Sequence, residues 1–384
     1  MTTISRLHID RALLPPKLFY FGWFLALGTF SPFIVLYYHS RSLSDAQVGL
    51  LLALPGAAQI VAGPLWGLLA DVFRFRRLLL PLAVLGSGLA GASLGAVAGY
   101  GPILALAACL ALFNAAVAPL ADSATLALLG ERRERYGAQR VWGAVGWGAT
   151  TAIAGVAVQR LGLPLIFTLF PLATIAAASA AALLPPAALP PRIDLLASIG
   201  LLLRDRRWST FLGGGLLIGC ASSLLYGFLP LYLQRLGGRN DQVGLSFAIG
   251  SISEIPMMAL SPLLLARFAP RTLLTLSGCA YALRMLIFVF APNPEVILAA
   301  QLLHGPCFAL LWTAGVLEAQ RIAPPGLATT GQSLFSVAVF GVATVIANLA
   351  AGVVVQVAGF HALFGGAAVI ALCGAAVLRR SAER

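Results

Sequence analysis

The segment from Phe33 to Ala53 returns without a gap 195 residues later, from Phe228 to Ala248. Phe33/Phe228, Leu36/Leu231, Tyr37/Tyr232, Gln47/Gln242, Val48/Val243, Gly49/Gly244, Leu50/Leu245 and Ala53/Ala248 are identical pairs. The spacing is close to half of the 384-residue chain, so the repeat divides it into two similar bodies. In a membrane chain, self-similarity at this period predicts two bundles that rock about a site between them.

The chain has the composition of a membrane protein. It is 60% hydrophobic and 10% charged, with a mean hydropathy of +0.93, whereas a soluble domain is about 25% charged. A bilayer crossing needs roughly 20 apolar residues. Twelve stretches meet that need: 16–38, 46–70, 77–98, 102–128, 135–160, 164–184, 208–234, 242–266, 272–291, 295–320, 331–357 and 361–379. The expected fold is an all-α membrane protein, with twelve transmembrane helices in two pseudo-symmetric six-helix bundles. Residues 1–184 and 208–384 form the bundles. Residues 185–207, which open Pro-Pro-Ala-Ala-Leu-Pro-Pro and end in Arg204, Arg206 and Arg207, form a linker lying on the membrane surface. Pro32, Pro55, Pro64, Pro119 and Pro256 fall inside stretches, where neighbouring helices satisfy the freed backbone groups.

A net charge of +12 would suit nucleic acid, but its distribution argues against it. Arg41, Arg160, Arg235 and Arg239 fall on one side of the spans, Arg140 and Arg284 inside them, and the other nineteen basic residues on the side of the termini. This positive-inside bias puts both termini in the cytoplasm. Abundant Ala, Leu, Gly and Arg beside a single lysine suggest a bacterial chain, hence the plasma (inner) membrane. The first apolar stretch lacks a cleavable-signal pattern. Cys109, Cys220, Cys279, Cys307 and Cys373 have no metal-ligand spacing and read as packing residues.

Between the second and third stretches, Gly67-Leu-Leu-Ala-Asp71-Val-Phe-Arg74-Phe-Arg76-Arg77 resembles the cytoplasmic signature of the major facilitator superfamily, with Val72 and Arg74 departing from it. The matching loop of the second half, Ala266-Arg267-Phe-Ala-Pro-Arg271, lacks the acid. Phe113-Asn114, Pro119-Leu-Ala-Asp122 and Tyr136-Gly137-Ala-Gln-Arg140-Val-Trp142-Gly143-Ala144-Val-Gly146-Trp147 resemble the lactose permease family and the phenylpropionate-transporter-like group. The resemblance implies solute-binding roles for Asp122, Arg140 and Trp147, and coupling roles for Arg284 and His304. The family's proton-carrying glutamate, three residues after that histidine, is replaced by Cys307. The resemblance also implies that Gly67, Asp71, Arg76 and Arg77 form a conformational gate. The alternative for the gate is a solvated topology signal.

Ionisable groups within a span cost about 2.5–3.5 kcal/mol at the bilayer centre on insertion scales and are functional by default. Asp122 and Arg140 fall roughly 10 Å from the same surface on antiparallel neighbours, so they can pair. Trp147 follows two turns along the face of Arg140, with Gly143 and Ala144 leaving room between them. Glu254, Arg284 and His304 fall near the midplane, where Glu254 can carry the proton, Arg284 modulate it and His304 relay it or bind solute. In each cluster the alternative is a neutralised polar knot that pins helices. Asn114 lines the cavity or bonds between helices, and Glu318, near a cytoplasmic end, reads as interfacial. Tyr37 and Tyr38 read as interface anchors.

The expected function is secondary active transport of a small organic solute by a monomer, driven by the proton gradient with no cofactor or metal. A sugar or glycoside comes first and a small aromatic or other carboxylate second. Drug-like efflux and a non-transporting receptor on the same fold stay open. No Walker-type segment exists beside the single Lys17, so ATP does not drive transport. No constellation points to an enzyme, and the histidines His8, His39, His304 and His361 are scattered.

Overall fold

The structure, a computed structural model, describes residues 13–72, 76–132, 135–186, 200, 202 and 204–380, and for 62–65, 67–72 and 76 the backbone alone. The described residues are helical apart from short turns. The helices are α1 (Leu14–Ser40), α2 (Asp45–Val72), α3 (Arg76–Leu94), α4 (Tyr100–Leu129), α5 (Tyr136–Leu161) and α6 (Ile166–Ala181). Then follow α7 (Arg206–Arg235), α8 (Asn240–Arg267), α9 (Pro270–Val289), α10 (Pro294–Ile322) and the run α11 (Ala328–Arg380). Ten described helices are long and apolar enough to cross a membrane, and Asp45–Val61 adds a shorter apolar one. The protein is a multi-pass membrane protein. Large apolar side chains such as Leu89, Ile153 and Val357 are exposed, as a lipid-facing surface requires.

Two interruptions matter. The 53 residues of α11 would extend about 80 Å as one helix, against a hydrocarbon core of about 30 Å. The run breaks at Gly359, whose φ of 77° and ψ of −179° are not helical. A positive φ is costly for any residue with a Cβ, so glycine places the bend. Within the same run, Val337–Val342 forms a π segment. In α10 a 3₁₀ turn, Gln301–Leu303, precedes His304.

Helix α1 packs on α5 and α6, and α3 on α4 and α6; in the second half α7 and α9 pack on α11, and α8 and α9 on α10. The most extensive contacts between the halves are α2 with α11 and α5 with α8. A Cβ on Gly49 would lie 2.9 Å from the Gly352 Cα, and one on Gly155 would lie 3.0 Å from the Gly244 Cα. Both crossings sit at the helix ends away from the chain termini.

The repeat thereby acquires physical content. Tyr37 donates to the Leu94 carbonyl at 3.1 Å and Tyr232 to the Phe288 carbonyl at 2.6 Å. In each half, the tyrosine of the first helix is tied to the end of the third. Tyr37 and Tyr38 are buried in protein, not placed as interface anchors. Gln47 Oε1 accepts from the Ser44 N–H at 3.0 Å, and Gln242 Oε1 from the Arg239 N–H at 2.9 Å. These bonds satisfy backbone donors at the starts of α2 and α8. Phe33, Phe228, Val48 and Val243 lie in one apolar core.

Most of the linker, 187–199 with 201 and 203, lies outside the described residues. It ends at Asp205, whose side chain caps α7 by accepting from the Arg207 N–H at 2.7 Å. Glu318 corrects the sequence reading. It is fully buried, and its carboxylate accepts from Arg271 at 2.6 Å and from Arg321 at 2.8 Å. Arg271, counted among the positive-inside charges, folds back to 5% side-chain exposure. The acid missing from the loop before α9 is supplied by α10.

Candidate functional site

In the first half, α4 and α5 bring Asp122 and Arg140 together, Nη1 to Oδ1 at 3.1 Å. Tyr20 of α1 donates to the same Oδ1 at 2.6 Å, and the Tyr136 phenol lies against the carboxylate. The guanidinium sits 5.6 Å from the ring centres of both Tyr20 and Phe24, within the range of cation–π attraction. The Arg140 and Asp122 side chains keep 38% and 33% of their surface accessible. The pair is fixed yet not sealed, so charge-assisted donors and an acceptor are available to a ligand.

Trp147 lies on the same helix but turns to the other half, with its ring 6.1 Å from that of Phe247 on α8, edge to face. The face between it and Arg140 is not vacant. A Cβ on Gly143 would meet the Phe24 ring at 2.8 Å, so glycine there admits an aromatic ring of α1 rather than a ligand. Asn114 is engaged with Ser87, whose hydroxyl donates to its Oδ1 and joins α3 to α4. It is turned into the helix packing.

The second half gathers Glu254, Arg284 and His304 from α8, α9 and α10. Gly305 directs its N–H to the Ser253 hydroxyl at 3.0 Å, and the close crossing of α8 and α10 sets Glu254 against the imidazole. Arg284 is buried; it donates from Nη2 to Gln301 Oε1 and meets His304 Nδ1 at 3.1 Å from Nη1. A guanidinium only donates, so Nδ1 accepts and the ring is neutral with its proton on Nε2. That nitrogen lies 3.8 Å from Glu254 Oε2 and 3.4 Å from the Tyr226 hydroxyl. His304 therefore stands between the buried cation and the partly accessible carboxylate.

An aromatic path joins the clusters. Trp147 touches Phe247, Phe247 lies 6.0 Å from Tyr226, and Tyr226 lies 6.1 Å from His304. Chemically, the arrangement offers an open ion pair, ring faces and a carboxylate–imidazole pair that can exchange a proton. Tyr20, Tyr226 and Phe247 escaped the sequence reading, because an aromatic residue within an apolar helix carries no mark that separates a site from packing. The expected gate falls largely outside the described side chains, which leave out Gly67, Asp71 and Arg76; Arg77 is exposed at the start of α3.

Comparison with known proteins bears on this geometry. The model of the MFS_1 like family matches residues 13–365. The chain belongs to that family. Transport is the general activity its relatives support. The chain is similar to maltose permease of Geobacillus stearothermophilus, at 29% identity over 88% of this chain and 86% of that protein. It is also similar to the probable 3-phenylpropionic acid transporter of Escherichia coli (strain K12), at 26% identity over 92% and 93%. The crystal structure of the nucleoside transporter NupG superposes with a TM-score of 0.82 at 15% identity, covering 97% of this chain and all of that one. That likeness concerns the fold.

Proposed function

We propose that this MFS_1-like protein is a secondary active transporter of a small sugar or glycoside, coupled to protons. The observation that carries the reading is the reach of Trp147 from α5 to Phe247 of α8. It links the helix that carries Arg140 to the helix that carries Glu254. A ring with hydroxyls on its edges and a weakly polar face suits an ion pair flanked by an indole. The likeness to a maltose permease, at 29% identity, supports the same class.

In this reading the chain crosses the membrane twelve times, with α11 contributing two crossings about Gly359. Residues 1–184 and 208–384 form six-helix bundles joined by 185–207. Both termini are cytoplasmic, in a bacterial plasma membrane. The close α2–α11 and α5–α8 crossings then lie on the outer side, so the conformation is closed outward and the bundles part toward the cytoplasm. Glu254 is the proton carrier, His304 its relay, and Gly67, Asp71, Arg76 and Arg77 latch the opposite state.

A second reading, uptake of a small aromatic carboxylate, is favoured by the guanidinium of Arg140, whose side chain stays 38% accessible. Purified protein in liposomes with an imposed pH gradient tests both. Accumulation of a radiolabelled sugar or glycoside from a panel supports the first reading. Accumulation of 3-phenylpropionate alone replaces it with the second, and inertness toward both panels refutes transport of either class.

A further inference from the structure

The rings do not stop at His304. Phe308 stacks on the imidazole at 5.6 Å and 11° between planes, Phe340 lies 6.2 Å from Phe308, and Trp312 lies 5.6 Å from Phe340. His304, Phe308 and Trp312 are four residues apart and form one stripe of α10. The opposite face carries Leu302 and Leu317, exposed at 61% and 39%, and is the lipid side. Phe308, Trp312 and Phe340 are nevertheless only half-buried. Their open surface therefore looks inward, toward the cleft.

Two further features bear on these rings. Phe340 belongs to the π segment Val337–Val342, a distortion frequent at functional sites. Two tryptophans use their N–H groups in packing: Trp66 donates to Leu112 O at 3.1 Å and Trp208 to Ile322 O at 3.0 Å. Among the described residues, Trp312 and Trp147 make no such bond, as is also true of the buried Trp23 and the exposed Trp142. Being half-buried and unbonded to protein, the N–H groups of Trp312 and Trp147 are open to a ligand acceptor. Trp147 lies eleven residues from the start of α5 and Trp312 ten from the end of α10. At 1.5 Å per residue these are depths of about 17 and 15 Å from the ends on the side of the termini.

We propose that Phe308, Trp312 and Phe340 form a second ring subsite facing that of Trp147, so that the preferred solute has two ring units. The first ring is held by the Asp122–Arg140 pair and Trp147, and the second stacks on the α10 wall while its edge oxygen accepts from Trp312 Nε1. The subsite deepens the proposed sugar reading and rests on it.

Two measurements test it together. Binding of methyl glucoside, a one-ring probe, and nitrophenyl glucoside, a two-ring probe, is measured on detergent-purified wild type, Trp312→Ala and Phe308→Ala. Wild type should prefer the two-ring probe at least tenfold. Each variant should lose that preference while keeping its affinity for the one-ring probe within twofold. Equal loss for both probes, or no loss, overturns the subsite alone. If wild type binds neither glycoside, the sugar reading fails and the subsite falls with it.

The second measurement needs no ligand. In protein with the exposed Cys109, Cys279 and Cys373 replaced by serine, Trp312→Cys and Leu302→Cys are treated with a membrane-impermeant methanethiosulfonate in inside-out vesicles. Labelling at 312 but not at 302 supports an aqueous wall. No labelling at 312, in protein that retains the wild-type thermal transition, overturns it.

Discussion

Gly244 of α8 and Gly155 of α5 meet backbone to backbone: a Cβ on Gly244 would lie 2.9 Å from the Gly155 Cα. The Thr151 carbonyl is nearer still. Neither obstacle is a flexible side chain, so a larger residue can be accommodated only by separating the helices. Gly49 and Gly352 repeat the relation between α2 and α11. Gly244→Leu is therefore expected to force open the end of the molecule away from the termini. Spin labels on the adjacent ends of α5 and α8 should show a longer distance, and net transport should fall at least tenfold. An unchanged distance distribution with wild-type transport would contradict the assignment of this crossing as the closed end.

How much of this was legible in the sequence depends on the kind of signal. Gly49 and Gly244 stood out as a repeated pair, and their repetition now has a cause, since each serves a crossing between halves. The bend at Gly359 falls in the expected gap between stretches 331–357 and 361–379, where the glycine stands between Gln356 and His361. Asp122 and Arg140 could be paired by depth alone, as charges are rare enough in a span to be informative. The partners of that pair could not. Tyr20 and Phe24 look like any aromatic residues of an apolar helix, and the filling of the Gly143 face by Phe24 depends on how α1 and α5 cross. Glu318 was misread because distance along a helix does not reveal that Arg271, in the first turn of α9, packs against it. Nothing in Val-Ala-Val-Phe-Gly-Val signals a π segment, whose cause is a shift of hydrogen bonds.

The Asp122–Arg140 pair is partly accessible and is also braced by Tyr20. Removing one charge therefore leaves the other with a polar neighbour, and the fold should survive. Asp122→Asn is expected to weaken solute binding at least tenfold with the melting temperature changed by less than a few degrees. Tyr20→Phe, which removes only the bracing hydroxyl at 2.6 Å, should cost less than Asp122→Asn. Equilibrium binding on purified protein ranks the variants; a reversed order would mean that the hydroxyl, and not the carboxylate, meets the solute.

Glu318 presents the opposite case. With a carboxylate at zero exposure and Arg271 at 5%, removing the acid takes the charged partner from a buried guanidinium. Breaking a buried pair in this way costs about 3–5 kcal/mol. Glu318→Gln should lower the melting temperature markedly in a thermal-shift assay, whereas Arg321→Gln, which removes a half-exposed partner (56%), should cost far less. Similar losses for both would show that the exposed arginine carries the cluster.

Proton coupling is tested most sharply at Glu254. Its Oε2 lies 3.8 Å from His304 Nε2, and Arg284 occupies the other imidazole nitrogen at 3.1 Å. The buried cation thus acts on the carboxylate through a neutral ring whose proton points toward it. Glutamine keeps the size and polarity of Glu254 but cannot take up a proton, so Glu254→Gln should leave one ionisation state for the whole cycle. Solute exchange down its own gradient, measured as counterflow in proteoliposomes, should persist at no less than about a third of the wild-type rate. Accumulation driven by an imposed pH gradient should vanish, and the pH dependence of transport should flatten. His304→Gln should retain accumulation at a reduced rate if the ring only relays. Accumulation by Glu254→Gln at the wild-type level would remove this glutamate from the coupling path.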